Sequence, residues 1–241
     1  MPQCFLALGG NAGAIAETFA RCLDELNSEP AVSLGPVSGF LTTAAVGADA
    51  GDTFLNAAAK IETSLAPLQL LDLLQATEIR HGRTREKHWG PRTLDIDIIF
   101  YGDLVCDEPR LILPHPACWY RRFVLDPLSE IAADIVHPVK GVNVAELRQR
   151  LLPRRLNFAI CGGSRKQRNE LCEMLRTLFA AADFSEIVAT ATAPALIAWL
   201  GAGDDGAAWD ELPLLPRLDV TRLAGTPSEA LQAVVSSALG Q

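Results

Sequence analysis

Residues 89 to 100, WGPRTLDIDIIF, impose the strongest condition on how this chain folds, because they read as an apolar β-strand interrupted by two aspartates. Side chains on a strand alternate faces, so Asp95 and Asp97 share a face with Thr93 and Ile99, while Leu94, Ile96, Ile98 and Phe100 take the other. The apolar face demands a core. The acidic face holds two like charges with their Cα atoms roughly 7 Å apart, two strand rises, and that repulsion asks for a cation between them. The spacing equally suits a structural ion network with nearby arginines, Arg83 and Arg92 above all.

The flanking sequence supplies the elements such a strand needs around it. CFLALGG (residues 4–10) reads as a short buried strand ending in a glycine turn, and NAGAIAETFARCLDELNS (11–28) as an amphipathic helix with Ile15, Phe19, Cys22 and Leu23 on one side. Two strands, VSLGPVSGFLTT and FLNAAAKIET, flank the small-residue loop AAVGADAGD, and PLQLLDLLQATEIRHG forms a second helix. The order β-α-β-β-α-β predicts an α+β fold of ferredoxin-like type, with both helices on one face of a mostly antiparallel sheet and the other face open to ligands. After Tyr101 a proline-punctuated stretch is expected to wrap this core, with one short helix near Asp126 to Ala133. A compositional break at LLPRRLNF then separates a domain of residues 1–153 from a small α/β appendage of residues 154–241.

Charge narrows the function. The 241 residues carry a formal net charge of −8, which argues against a general nucleic-acid or membrane-surface binder, since either partner attracts a basic surface. No apolar run approaches the length of a membrane helix, and the N-terminus carries no basic leader, so a cytoplasmic location is expected. Six cysteines without C-x-x-C spacing are expected to be reduced packing thiols, and four histidines without a Cys/His cluster make a structural zinc site unexpected.

Against this acidic background, Arg83, Arg85, Lys87, Arg92, Arg110, Arg121 and Arg122 gather around the aspartate pair, with His115 in LPHP among them. Guanidinium forks match phosphate oxygens. Magnesium takes a few carboxylates together with phosphate oxygens and water, and two such ions can clamp the attacking and leaving oxygens of a phosphoryl transfer. Aspartates beside an arginine row therefore suit a magnesium-bound nucleoside triphosphate. Phe54, Asn56, Trp89 and Phe123 offer aromatic faces and one amide, which suit a flat heterocyclic acceptor, although each aromatic taken singly also suits a core position.

Four blocks in order, LALGGNAG, FLNAAAKIETSLAPLQLLDLLQATEIRHGRTR, WGPRTLDIDIIFYG and LILPHP followed by RRFVLDPLSEIA, resemble the 6-hydroxymethyl-7,8-dihydropterin pyrophosphokinase family of folate biosynthesis. The likeness runs from residue 3 to about 150. It implies transfer of the β,γ-diphosphate of ATP to the pterin hydroxymethyl oxygen with release of AMP. It also implies that Asp95 and Asp97 hold two Mg²⁺ ions, that Arg83, Arg85 and Arg92 contact the triphosphate, and that Ile98, Arg110, His115 and Arg121 contact the nucleotide. For the pterin, it implies stacking between Phe54 and Phe123, edge reading by Asn56, contacts from Thr43 and Val46, and closure by Trp89. Catalytic weight falls on Arg83, Arg92 and Asp97, and the loops over residues 46–52 and 83–89 are expected to close over ATP. The chain departs from the family pattern at Gly10, where serine is common, at Ala44 and Ala45, where prolines are common, and at Phe54, where tyrosine is common. Beyond residue 156, FAICGGSRKQRNELCEML resembles the strand, glycine turn and helix that open a P-loop or nucleoside-kinase unit. It lacks G-x-x-x-x-G-K-[ST] and has Lys166 out of place, so a non-catalytic appendage is expected.

Overall fold

The structure, a computed structural model, describes residues 1–44, 53–83, 93–153, 155–186 and 193–240. The chain divides into two compact units, essentially Met1–Arg148 and Gln149–Leu239.

In the first unit, β1 (Gln3–Gly10), α1 (Ile15–Asn27), β2 (Val32–Val37), β3 (Leu41–Ala44), β4 (Thr53–Thr63), α2 (Pro67–Arg80) and β5 (Asp95–Tyr101) follow one another. The sheet runs β2-β4-β1-β5 with every neighbour antiparallel, and β3 also pairs with β4. Each helix therefore carries the chain past one intervening strand. The apolar stripes of α1 (Phe19, Cys22, Leu26) and α2 (Leu70, Leu74) bury against one face of the sheet, on Leu6 and Leu8 of β1 and Ile96 and Ile98 of β5. Pro67 opens α2 at a position where no amide donor is needed, and the Gln69 side chain accepts the Ala66 N–H at 2.9 Å.

The single strand expected over residues 32–43 is two strands. The gap between them is residues 38–40; Gly35 and Pro36 lie inside β2, where proline offers no N–H to the ladder and the register against β4 shifts between Leu34 and Val37. Ser38 repairs the break: its N–H donates to the Ala58 carbonyl at 2.9 Å, and its Oγ accepts the Ala58 N–H at 2.8 Å.

The chain after β5 forms the hairpin β6 (Cys106–Glu108) and β7 (Leu111–Leu113), then α3 (Arg122–Ala132) and α4 (Val144–Gln149). Helix α3 starts at Arg122, earlier than the sequence suggested, and keeps Pro127 inside it. An ion cluster spans the proline: Asp126 pairs with Arg122 at 2.7 Å and with Arg148 at 2.8 Å. The helix packs on β4 and reaches β3 and β1, and its buried Leu125 and Leu128 lie outside the cluster that α1 and α2 form. The second face is thus covered by α3 over part of its area, and the expectation that it stays open holds only at the Asp95–Asp97 end of β5.

A second correction concerns Phe100. Between β1 and β5 the register slips, so that Leu6 faces Ile98 while Phe5 faces Phe100 and Ile99 is passed over. This bulge turns Phe100 away from the side of Ile98. Its ring meets Phe5 edge-on at 6.3 Å and His137 at 5.6 Å, building a second core layer under the extension.

His137 in that layer is buried, and its Nδ1 accepts the N–H groups of Val139 at 3.2 Å and Lys140 at 3.3 Å. Burial first, and the Lys140 charge second, push its pKa down to about 4. An unfolded imidazole titrates near 6.5, so between these values the folded state binds fewer protons than the unfolded one. Stability is full above about pH 6.5 and falls as pH drops toward 4. Urea unfolding of the first unit is expected to lose up to about 3 kcal/mol across that window. The His137→Gln variant, at equal pH steps, should lose much less; an unchanged slope would count against this assignment.

The second unit contains β8 (Leu156–Cys161), α5 (Arg165–Leu178), β9 (Ala182–Ser185), β10 (Leu196–Trp199), β11 (Arg217–Asp219) and α6 (Pro227–Leu239). Its strands are parallel in the order β11-β10-β8-β9. Three strands follow α5 where the sequence suggested two; β11, only three residues long, is too short to show alternation. All six cysteines are free, and only Cys106 is not fully buried. Among the described residues no helix is long and apolar enough to cross a membrane.

Candidate active site

The site is laid out by sheet register. Residues paired directly across an antiparallel sheet point to the same face, so one row runs from Asp95 on β5 through Gly9 on β1 to Asn56 on β4 and Leu41 on β3. The adjacent row runs from Asp97 through Ala7 to Ala58. Small residues therefore form the floor between the two carboxylates and the amide. A Cβ added at Gly9 would stand 3.7 Å from Asn56 Oδ1, so glycine keeps this floor low where a larger side chain would rise between Asp95 and Asn56. Two strand spacings separate Asp95 from Asn56, roughly 10 Å between Cα atoms.

The Asn56 amide is held in place: its Nδ2 donates to Thr43 Oγ1 at 3.0 Å and to the Leu41 carbonyl at 3.4 Å. Thr43 is paired with Phe54 across β3 and β4, which puts the half-buried Phe54 beside Asn56 on this face. Phe123 enters from the first turn of α3, also half-buried, with the Arg121 guanidinium 5.6 Å from its ring centroid.

The two aspartates are accessible. Their side chains are 24% exposed for Asp95 and 44% for Asp97. Among the described residues no group of three or more His, Cys, Asp or Glu side chains could hold a metal, so the protein offers a pair of hard oxygen donors and no closed cage. That is the donor set magnesium accepts when phosphate oxygens and water complete its octahedron.

At the β5 edge a cleft of about 350 Å³ opens, lined among others by Leu71 and Gln75 of α2, Asp97 and Ile98 of β5, and Arg110 and His115 of the extension. Arg110 pairs with Asp72 at 2.5 Å on the cleft rim. The bulge helps to seat His115, because the backbone N–H of His115 donates to the Ile99 carbonyl at 3.0 Å. His115 Nδ1 accepts the Ala117 N–H at 3.2 Å, which directs Nε2 toward Asp97, 3.8 Å away. Burial holds the His115 pKa below its usual value, with Asp97 opposing and Arg121 reinforcing that shift. The ring is therefore a neutral imidazole at pH 7, with its Nε2–H facing the acidic face.

Arg83 follows α2. Its guanidinium bridges Asp95, at 2.6 Å, and the buried carboxylate of Glu78. Glu78 was not singled out from the sequence, yet a signal was there. Leu70, Leu74 and Glu78 recur at four-residue spacing on the buried stripe of α2, and a carboxylate at such a position needs partners. It accepts the Ile96 N–H at 2.7 Å, and burial raises its pKa against the pull of that bond and of Arg83.

Register and packing thus bring Thr43, Phe54, Asn56, Asp95 and Asp97 to one face, with Phe123 beside it, and Asp97, Ile98, Arg110 and His115 into one cleft. Arg121 does not line that cleft; its guanidinium stands over the Phe123 ring and its charge acts on His115. Val46, Arg85, Trp89 and Arg92 lie outside the described residues.

Comparison with known proteins gives the arrangement its context. The family model for 7,8-dihydro-6-hydroxymethylpterin-pyrophosphokinase matches residues 5–133. A Pseudomonas aeruginosa protein named 2-amino-4-hydroxy-6-hydroxymethyldihydropteridine pyrophosphokinase is 41% identical over 145 residues, 60% of this chain and 89% of its own length. A Synechocystis protein of the same name is 39% identical over 142 residues, 59% of this chain and 72% of its own. A crystal structure of wild-type HPPK-DHPS from Plasmodium falciparum shares the fold, with a TM-score of 0.50 at 11% identity, covering 83% of this chain and 57% of that one. Since the family match takes in more than half of the residues, and includes β5 with both aspartates, the chain belongs to the 7,8-dihydro-6-hydroxymethylpterin-pyrophosphokinase family.

Proposed function

We propose that the first unit performs the reaction of its family, pyrophosphoryl transfer from ATP to the hydroxymethyl group of 6-hydroxymethyl-7,8-dihydropterin in folate biosynthesis. The observation that carries the reading is the order of groups across one sheet. The cleft at the β5 edge comes first, then Asp95 and Asp97, then the low floor of Ala7 and Gly9, then Asn56 with Phe54 and Thr43. Donor, cation site and acceptor fall in line, with a span that a triphosphate can bridge. The strand order supports reading this unit as a ferredoxin-like βαββαβ core with a wrapping extension.

In this reading the adenine and ribose enter the cleft over Ile98 and beside Arg110 and His115, whose neutral ring donates without adding charge. The phosphates extend toward Asp95 and Asp97. Two magnesium ions held by this pair would neutralise the phosphate oxygens and polarise the transferring group. Arg83, Arg85 and Arg92 contact the triphosphate, and Arg121 contacts the nucleotide from beside Phe123. The pterin stacks between Phe54 and Phe123 while Asn56, its amide held by Thr43, reads the ring edge. Val46 adds a loop contact and Trp89 closes over the ring, so that water is kept from the transferring group. The hydroxymethyl oxygen then lies over the Gly9 floor, facing the carboxylates. The substrates are small molecules, and we assign the chain to the cytoplasm.

The second unit reads as a non-catalytic α/β appendage. Its strand order, β9-β8-β10-β11, is that of flavodoxin-like sheets. The turn between β8 and α5, where a phosphate would sit, is taken by the unit's own carboxylates: Asp205 accepts the Gly162 N–H and Asp204 the Arg165 N–H, each at 2.8 Å. Lys166 points to solvent and pairs with Glu170 at 3.8 Å.

The test is incubation of the full chain with ATP, Mg²⁺ and the reduced pterin. AMP is expected to appear in step with the pterin diphosphate. ATP binding without AMP release would replace this reading by a nucleotide-binding module.

A further inference from the structure

Glu78, which has no role above, forms one chain of charge with Arg83 and Asp95. Glu78 is 2% exposed on the last turn of α2. Its carboxylate is fixed from two directions, by the Ile96 N–H at 2.7 Å and by the Arg83 guanidinium. The Arg83 backbone is held as well, since its N–H donates to the Glu78 carbonyl at 3.0 Å. The same guanidinium nitrogen that meets Glu78 also meets Asp95 at 2.6 Å. Arg83 therefore stands where a cation at Asp95 would have to act, and it stands there because a buried anion holds it.

We propose that Glu78 is a positioning residue that keeps Arg83 against Asp95 as a resident counter-charge, which a magnesium–nucleotide complex displaces. The inference rests on the reading of Asp95 as a metal-holding residue. A divalent ion on Asp95 repels the guanidinium, while the incoming phosphates attract it, so occupancy exchanges one cation for another and turns Arg83 toward the triphosphate. Glu78 does not move in this exchange, because its bond to Ile96 ties it to the strand that carries Asp95. It also leaves the Glu78–Arg83–Asp95 set with a net charge of −1, which favours the metal's arrival.

The signs of two substitutions separate this exchange from a merely structural role. Glu78→Gln keeps an oxygen to accept the Ile96 N–H but removes a unit charge that lies two ion-pair contacts and one metal–oxygen bond from the metal position, on the order of 7 Å. It should weaken divalent-ion binding roughly fivefold or more, since near-water screening sets the smallest Coulomb effect on a doubly charged ion. Arg83→Met removes the competitor, and without nucleotide it should tighten binding by a similar factor. Mn²⁺ is the probe, titrated into the full chain and followed by the loss of its free-ion electron paramagnetic resonance signal. Melting temperatures are recorded alongside. For Glu78→Gln, AMP release should show a raised Mg²⁺ half-saturation with a smaller change in kcat.

Opposite shifts in the two variants support the exchange. Unchanged Mn²⁺ affinity in both, or weakening in both, overturns it. Wild-type protein that binds Mn²⁺ with these shifts but releases no AMP would leave the exchange standing and remove the proposed reaction. Wild-type protein that binds no Mn²⁺ without nucleotide would overturn the exchange, while the proposed reaction would still stand or fall on AMP release.

Discussion

Asparagine at position 97 is expected to lower the rate of AMP release by about three orders of magnitude or more, with the fold intact. The size of the effect follows from what the side chain has around it. Asp97 is 44% exposed, and the neutral His115 ring holds its Nε2 3.8 Å away, beyond hydrogen-bond reach. Such a carboxylate contributes little to stability, so an amide of the same shape should leave the melting temperature within a degree or two, as surface substitutions generally do. What the amide loses is charge where the cleft meets the low floor, beside Ala7. Without that charge the phosphate oxygens in transfer are neutralised from one side only, and the loss falls on the transition state more than on nucleotide binding. Single-turnover kinetics with saturating ATP and pterin measure the step directly. Near-normal turnover in the Asp97→Asn variant would exclude a metal role for this residue.

Much of this arrangement could be read from the chain because the informative signals are local. Alternation along β5 separates Ile96 and Ile98 from Asp95 and Asp97 with no knowledge of any partner strand, and the structure keeps that separation. The heptad-like stripe of α1 likewise fixes its buried face. What could not be read depends on pairing. That Ala7 and Gly9, and no larger side chains, lie beside the aspartates is a fact of the β1–β5 register. The position of Asn56 in the Asp95 row needs the β1–β4 register as well. The covering of the second face by α3 was hidden by Pro127, because a proline ordinarily marks a helix start and here sits in the interior. Glu78 is the intermediate case: its place on the stripe of α2 was legible, but its partners Ile96 and Arg83 are set by tertiary contact.

The bulge on β5 gives the second large effect. Phe100→Ala is expected to destabilise the first unit by about 3–5 kcal/mol, the range for a phenylalanine fully removed from a core. A domain of this kind has only about 5–15 kcal/mol in total, so the variant should unfold at a markedly lower urea concentration. Which contacts are lost decides between two pictures of the strand. With uninterrupted alternation, Phe100 would pack beside Ile98 against α2, and its loss would couple to truncation of Leu70. With the register slip, the ring instead stands edge-on to Phe5 at 6.3 Å and to His137 at 5.6 Å, on the other side of the sheet. A double-mutant cycle separates the two, since residues in contact show coupling and residues without shared partners add. Coupling of about 1 kcal/mol is expected between Phe5→Ala and Phe100→Ala, and near-additivity between Phe100→Ala and Leu70→Ala; the reverse pattern would remove the bulge. The same slip leaves the Ile99 carbonyl to receive the His115 N–H, so the feature that moves Phe100 into the second layer also seats the histidine at the mouth of the cleft. A variant that straightened β5 should therefore lose nucleotide affinity along with stability.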